Sequence, residues 1–235
     1  MQDEQYVFPY HHLVDLEKFS NYKVMSWGFE YYAYMTAAID IIKKLNPRSF
    51  LDVGCGEGKM ILELARSIPS GSMKGIDLSE RAILFAQAFN YDNDASFECK
   101  DIAELSGSYD AIALVETMEH IPDGDIKGIV DNVKRILSPS GRVIVTVPAS
   151  NFPVQRKHYR HYDIELIMKQ FEGFSLEEVR YLVAEGLLHK ILIRLSRKFC
   201  SFDFLRKAFF QVAKAFVFEA RKDSARHILC VLKRA

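Results

Sequence analysis

The chain has 235 residues, 49% hydrophobic and 26% charged, with no net charge. That makeup fits one large α/β domain or two small ones and excludes a disordered or fibrous protein. No apolar run reaches the roughly 18 residues that a spanning helix needs, and Met1-Gln2-Asp3-Glu4-Gln5 lacks the basic and apolar regions of a signal peptide. Cys55, Cys99, Cys200 and Cys230 are widely spaced. This argues against a disulfide framework or a cysteine zinc site, and a cytoplasmic location is expected. From His189 onward there are 12 Lys/Arg against 3 Asp/Glu, leaving 19 against 28 in the rest. Such asymmetry points the C-terminal part towards an anionic partner or surface, or reflects solvated helix faces.

In chain order, residues 1–28 are irregular and rich in aromatics. A helical pattern from Phe29 to Leu45 is ended by Asn46-Pro47. Strands and helices then alternate: a strand at Ser49–Val53, a helix at Lys59–Ser67, a strand at Met73–Ile76, a helix at Glu80–Phe89, then strands at Ser96–Cys99 and Tyr109–Val115. A helix at Asp125–Leu137 precedes the β-prone run Arg142–Val147. This alternation predicts a parallel sheet covered on both faces. Beyond Pro148 a helix is predicted at Asp163–Phe171 and a strand at Leu176–Leu182. Two basic amphipathic helices follow within Gly186–Arg221, and a last strand at Arg226–Leu232. The division expected is a single domain, with a lid segment over 1–28, a core over 29–182, a helical cap insertion over 183–224 and a last strand over 225–235.

The informative segment is Phe50-Leu51-Asp52-Val53-Gly54-Cys55-Gly56-Glu57-Gly58, which closes a strand and opens a helix. Glycines at alternate positions let a ligand approach the main chain. Asp77 follows 19 residues after Gly58, at the end of the next strand, where a carboxylate can accept both ribose hydroxyls of a nucleoside cofactor. A dinucleotide site wants G-x-G-x-x-G. Here the third glycine comes one residue early, and Glu57 would repel a pyrophosphate. A cofactor with a cationic amino-acid end and no phosphate fits better.

Leu51–Gly58 closely resembles motif I of the class I S-adenosylmethionine-dependent methyltransferases. The resemblance covers about Arg48 to Val147 and, weakly, the last strand. It implies a Rossmann-like, seven-stranded, mostly parallel sheet with helices on both faces, an antiparallel last strand and a helical insertion before it. It also implies a cofactor site. Gly54, Gly56 and neighbouring backbone would hold the methionine end and Asp77 the ribose, with Asp52, Gly58 and Leu78 also in the cofactor site. Asp101 and Ile102 would flank the adenine, and Glu116 the mouth of the cleft.

The fourth strand runs into Glu116-Thr117-Met118-Glu119-His120-Ile121-Pro122. On a helical turn Glu116, Glu119 and His120 would share one face, able to hold a divalent cation or to exchange protons. The E-x-x-E-H spacing resembles small-RNA 3′-end 2′-O-methyltransferases, where it binds metal with a later histidine. It also resembles ubiquinone-pathway O-methyltransferases, towards which Pro122 leans. After the fifth strand comes Arg156-Lys157-His158-Tyr159-Arg160-His161-Tyr162, similar to loops in methyltransferases of small molecules and cell-surface sugars. The expected metal set is Glu116, Glu119, His120 and His161, for Mg, Mn or Fe. The expected catalytic set is Glu116, His120 and His161, with His158 and the paired His11-His12 as further candidates. Arg156, Lys157 and Arg160 are expected to meet an anionic substrate group.

The function expected is methyl transfer to an oxygen or nitrogen of a small, anionic metabolite or sugar. The alternative is an RNA 2′-O-methyltransferase using the basic C-terminal region.

Overall fold

The computed structural model describes residues 29–68, 71–198 and 203–235. The expected lid over 1–28, with His11 and His12, lies outside the described residues. The helices are α1 (Glu30–Leu45), α2 (Lys59–Ala65), α3 (Glu80–Phe89), α4 (Ile126–Ile136), α5 (Ile164–Gln170), α6 (Leu187–Lys198) and α7 (Asp203–Phe216). The strands are β1 (Ser49–Val53), β2 (Ser72–Asp77), β3 (Ser96–Cys99), β4 (Tyr109–Val115), β5 (Leu137–Pro148), β6 (Phe174–Ala184) and β7 (Ala225–Arg234).

The strands form one sheet of order β3-β2-β1-β4-β5-β7-β6. β1 to β5 pair in parallel, and β7 runs antiparallel between β5 and β6. The Rossmann-like sheet expected from the resemblance is therefore present, and α6–α7 form the insertion before the last strand. Strand order reverses between β1 and β4, which opens a crevice at their carboxyl ends. The glycine segment leaves β1 there and the E-x-x-E-H segment leaves β4.

The apolar run of β5 shows how the two faces are covered. Ile144 points into the core beneath α1, α2, α3, α6 and α7. Val143, Val145 and Val147 point into the core beneath α4 and α5. Burial on both sides is why this strand reads as continuously hydrophobic. α1 stops where Asn46 takes a left-handed conformation (φ 45°) and its N–H bonds Ile42 O, with Pro47 blocking continuation.

The structure differs from the expected boundaries at β5. The strand begins at Leu137, which pairs with Tyr109, and pairing resumes at Arg142 with Ala111. Residues 138–141 bulge out between them, where proline and glycine disfavour an unbroken ladder.

Candidate active site

The β1–α2 turn folds against β2. Gly54 and Cys55 N–H both donate to Ile76 O, at 2.8 and 3.0 Å. Gly54, Gly56 and Gly58 all have positive φ, of 75°, 53° and 72°. A Cβ on Gly54 would lie 2.7 Å from Thr117 Oγ1, which itself bonds Val53 O. Gly54→Ala therefore combines a left-handed strain with a clash. It should cost about 1–3 kcal/mol and lower Tm by roughly 3–10 °C. Thermal unfolding of the variant checks this, and an unchanged Tm would contradict the turn geometry.

Asp77 is buried at the end of β2 and organises the turn. Its Oδ2 accepts from Gly56 N–H at 3.0 Å and its Oδ1 from Ser79 N–H at 2.9 Å. Beneath it Asp52 is also buried. Burial, then the nearby charges of Asp77 and Glu57, lift its pKa to about 7. Three acidic side chains, Asp52, Glu57 and Asp77, thus lie near one another at the turn. Leu78 beside it is 71% exposed, a free apolar surface. Asp101 follows β3 and caps a short turn, accepting from Ala103 N–H at 2.8 Å. The side chain of Ile102, expected beside the adenine, is instead 2% exposed and packed in the core under α4. Only its backbone is left for such a contact.

The E-x-x-E-H segment does not form one helical face. Glu116 takes a left-handed φ of 52°, so the helical turn starts only at Met118 and spans Met118–His120. Glu116 is drawn to β5: its N–H donates to Thr146 O at 2.9 Å, and Thr146 Oγ1 donates to its Oε1 at 3.0 Å. Ligand-type atoms of Glu119, His120 and His158 do converge, all within 4.8 Å of one another. Glu116 and His161, expected in this group, stand outside it.

Hydrogen bonds assign the ring nitrogens. Carbonyls only accept, so His120 Nδ1 donates to Lys157 O at 3.2 Å and leaves Nε2 bare. His161 Nδ1 likewise donates to Phe152 O at 3.0 Å. Its Nε2 then accepts from His158 Nδ1, also at 3.0 Å, leaving His158 Nε2 bare. His161 therefore stands one ring behind and orients His158. Burial, with the neighbouring His120 and Lys157, drives the His158 pKa down to about 3, and burial also lowers that of His120. Glu119 is 1% exposed and its Oε2 has no hydrogen-bond partner. Burial, reinforced by Glu116, holds its carboxyl well above the usual range.

Arg160, expected to meet substrate, is buried and serves the scaffold. It donates to Met118 O (2.9 Å), Ile121 O (2.6 Å), Asp123 Oδ1 (2.8 Å) and Tyr162 Oη (3.2 Å). This clamp fixes the turn that carries Glu119 and His120. Arg156 and Lys157 remain exposed.

Comparison with known proteins identifies the family and the fold. Residues 29–185, more than half of the chain, match the family described as methyltransferase domain. The chain belongs to the class I S-adenosylmethionine-dependent methyltransferases. A similar curated protein is the ubiquinone biosynthesis O-methyltransferase of Neisseria meningitidis serogroup C, 33% identical over 120 residues, covering 48% of this chain and 49% of that protein. Another is the trans-aconitate 2-methyltransferase of Deinococcus radiodurans, 30% identical over 122 residues, covering 52% and 44%. The chain thus spans about half the length of these relatives or less. Among solved structures, the N-methyltransferase NodS of Bradyrhizobium japonicum, in complex with S-adenosyl-L-homocysteine, shares the fold. Its TM-score is 0.59 at 16% identity, covering 86% of this chain and 87% of that one.

Within this methyltransferase fold the structure adds residues that sequence reasoning missed. β7 is antiparallel, so its first residues reach the carboxyl edge of the sheet. There His227 sits between two carboxylates, Nδ1 at 3.0 Å from Glu116 Oε2 and Nε2 at 3.2 Å from Glu30 Oε2. Burial opposes a charge on the ring, but Glu116 and Glu30 outweigh it and lift the pKa to about 10. A histidine opening an apolar strand was the only signal in the sequence. A raised folded pKa contributes stability in full below the unfolded value near 6.5, lost as pH climbs through about 10. The contribution is on the order of a few kcal/mol. His227→Gln should therefore flatten the fall in stability between neutral pH and pH about 10. Denaturant midpoints of both proteins across that range test this, and parallel curves would show that the ring is not charged.

Proposed function

We propose that the chain moves a methyl group from S-adenosylmethionine to an oxygen or nitrogen of a small anionic metabolite or sugar, assisted by a divalent ion. The observation that carries the cofactor reading is the glycine turn set among Asp52, Glu57 and Asp77. Such a site disfavours phosphates and favours a nucleoside with a cationic amino-acid end. When bound, S-adenosylmethionine supplies an electrophilic methyl group that needs no activation by the protein.

The chain's own residues then do the following. Asp77, at the end of β2, would accept from the ribose hydroxyls. The backbone of Gly54 and Gly56 admits the methionine end. Asp101 would accept from the adenine amino group, and the exposed Leu78 would pack against the nucleoside. A hydroxyl acceptor is a poor nucleophile at neutral pH; the bare Nε2 of His120 serves as a ligand when a cation is held there and takes the acceptor's proton only when none is. The Arg160 clamp keeps that nitrogen aimed, since transfer depends on near-attack alignment.

The orphaned Glu119 Oε2 and the bare Nε2 atoms of His120 and His158 form an oxygen- and nitrogen-only donor set, which suits Mg, Mn or Fe. A cation held there would lower the pKa of an acceptor hydroxyl. The names of the Neisseria and Deinococcus relatives support a small acceptor, and the second names a carboxylate-bearing one.

The RNA alternative rests on the basic C-terminal region. Part of that surplus is internal: Arg226 pairs with Glu30 and Glu185, and Arg234 donates to Leu137 O. Among the described residues no helix is long and apolar enough to cross a membrane.

Calorimetry with S-adenosylhomocysteine tests the cofactor reading. One site per chain with micromolar affinity is expected, and no heat from the folded protein would overturn it. Mass spectrometry of the purified protein tests the acceptor class, since co-purifying RNA would favour the alternative.

A further inference from the structure

On the far side of His227 from Glu116, a cavity of about 380 Å³ opens between the first turn of α1, the end of β6 and α6. Its polar walls are Glu30, Glu185, His189, Lys190, Arg194 and Arg226, and Ile193 supplies an apolar side.

The two carboxylates are already engaged. Glu30 Oε1 lies 2.7 Å from Arg226 Nε, and its Oε2 faces His227. Glu185 Oε2 lies 2.7 Å from Arg226 Nη1, and its Oε1 lies 3.4 Å from Lys190 Nζ. Three cations thus face two carboxylates, and Arg194 has no ion pair among the described residues.

His189 is the second observation. It is 4% exposed, and neither ring nitrogen has a hydrogen bond. Its Nδ1 is 3.6 Å from Glu185 Oε2, too long for one. Burial outweighs Glu30 and Glu185 and keeps the ring neutral, so one N–H and one lone pair are left unsatisfied. Buried polar groups in folded proteins almost always have a partner.

We propose that this cavity binds an oxyanion, a carboxylate or phosphate group, through Arg194, Lys190 and an N–H of His189. The group belongs to the acceptor and lies remote from the reacting atom, one imidazole away from Glu116. Anchoring there converts binding energy into alignment of the acceptor. Its role as acceptor pocket rests on the methyltransferase reading above, but anion binding itself is measured without the cofactor.

The test titrates the full chain with citrate and with inorganic phosphate, followed by calorimetry. Saturable binding near roughly 1 mM or tighter is expected for at least one of them. Citrate alone would mark a carboxylate pocket and phosphate alone a phosphate pocket. Arg194→Glu, at an exposed position, should weaken binding by about 10-fold or more and leave S-adenosylhomocysteine affinity unchanged. His189→Leu should weaken anion binding, and His189→Asn, which keeps a donor, should restore part of it. The proposal is overturned if neither anion saturates, or if Arg194→Glu leaves their affinity intact. Loss of S-adenosylhomocysteine binding by the wild-type chain would instead sink the cofactor reading and leave the anion site standing.

Discussion

Replacing Asp77 with alanine is expected to weaken S-adenosylhomocysteine binding by roughly 30- to 1,000-fold, the equivalent of about 2–4 kcal/mol. The two charge-assisted hydrogen bonds proposed between Asp77 and the ribose would be lost. The cost has a second source in the protein itself. Asp77 Oδ2 tethers Gly56 and its Oδ1 tethers Ser79, so alanine also frees two N–H groups that shape the turn. Asp77→Asn separates the two effects, since its side-chain oxygen can keep one tether while the charge is gone. Removing the Asp77 charge should also bring the Asp52 pKa down from about 7, because one of the charges that raises it disappears. Calorimetry gives the affinity and carboxylate NMR the titration. An unchanged dissociation constant in a folded variant would mean that the ribose is held elsewhere.

The second large effect is expected at the histidine cluster. His120→Ala and His158→Ala should each lower Mn²⁺ affinity by about 10- to 100-fold or more and reduce turnover with it. Glu119→Gln should do the same, since Oε2 is the buried oxygen left without a partner. His161→Ala should have a smaller effect, because it removes only the acceptor that orients His158 Nδ1. Electron paramagnetic resonance of added Mn²⁺ reads binding without any substrate. Chelation should abolish turnover and Mn²⁺ restore it. Activity that survives exhaustive chelation but falls in His120→Ala would remove the metal and leave Nε2 of His120 as a general base.

Periodicity and turn residues carried most of the fold. Glu80–Phe89, Ser96–Cys99 and Tyr109–Val115 appear with the limits their patterns predict, because local propensity and burial agree there. The glycine turn was legible because alternate glycines followed by a distant carboxylate have few other uses. The second half of the site depended on geometry that one sequence does not display. Glu116, Glu119 and His120 looked like one helical face, but the left-handed Glu116 breaks the periodicity. His158 and His161 are three residues apart, and which ring faces the cluster is decided by the loop doubling back, with Ser150 N–H bonded to Tyr162 O at 2.7 Å. Arg160 looked like an anion ligand because nothing local showed the carbonyls of Met118 and Ile121 waiting for it. His227 reaches Glu116 only through the antiparallel pairing of β7 with β5, in which it lies opposite Pro148.

The α6–α7 insertion has a further consequence, for how this protein can change. Its flanking strands are antiparallel neighbours that meet where Ala184 pairs with Ala225, and Glu185 N–H bonds Ser224 O at 2.8 Å. The two ends of the inserted segment are therefore held side by side by the sheet itself. Lengthening such a closed excursion costs little, because closure entropy grows only with the logarithm of its length. The family match ends at residue 185, where this excursion starts. The sheet can thus keep its cofactor half constant while the segment carrying His189, Lys190 and Arg194 is exchanged. If that segment holds the acceptor as proposed, grafting a relative's segment between Ala184 and Ala225 should change the acceptor and keep the methyl donor.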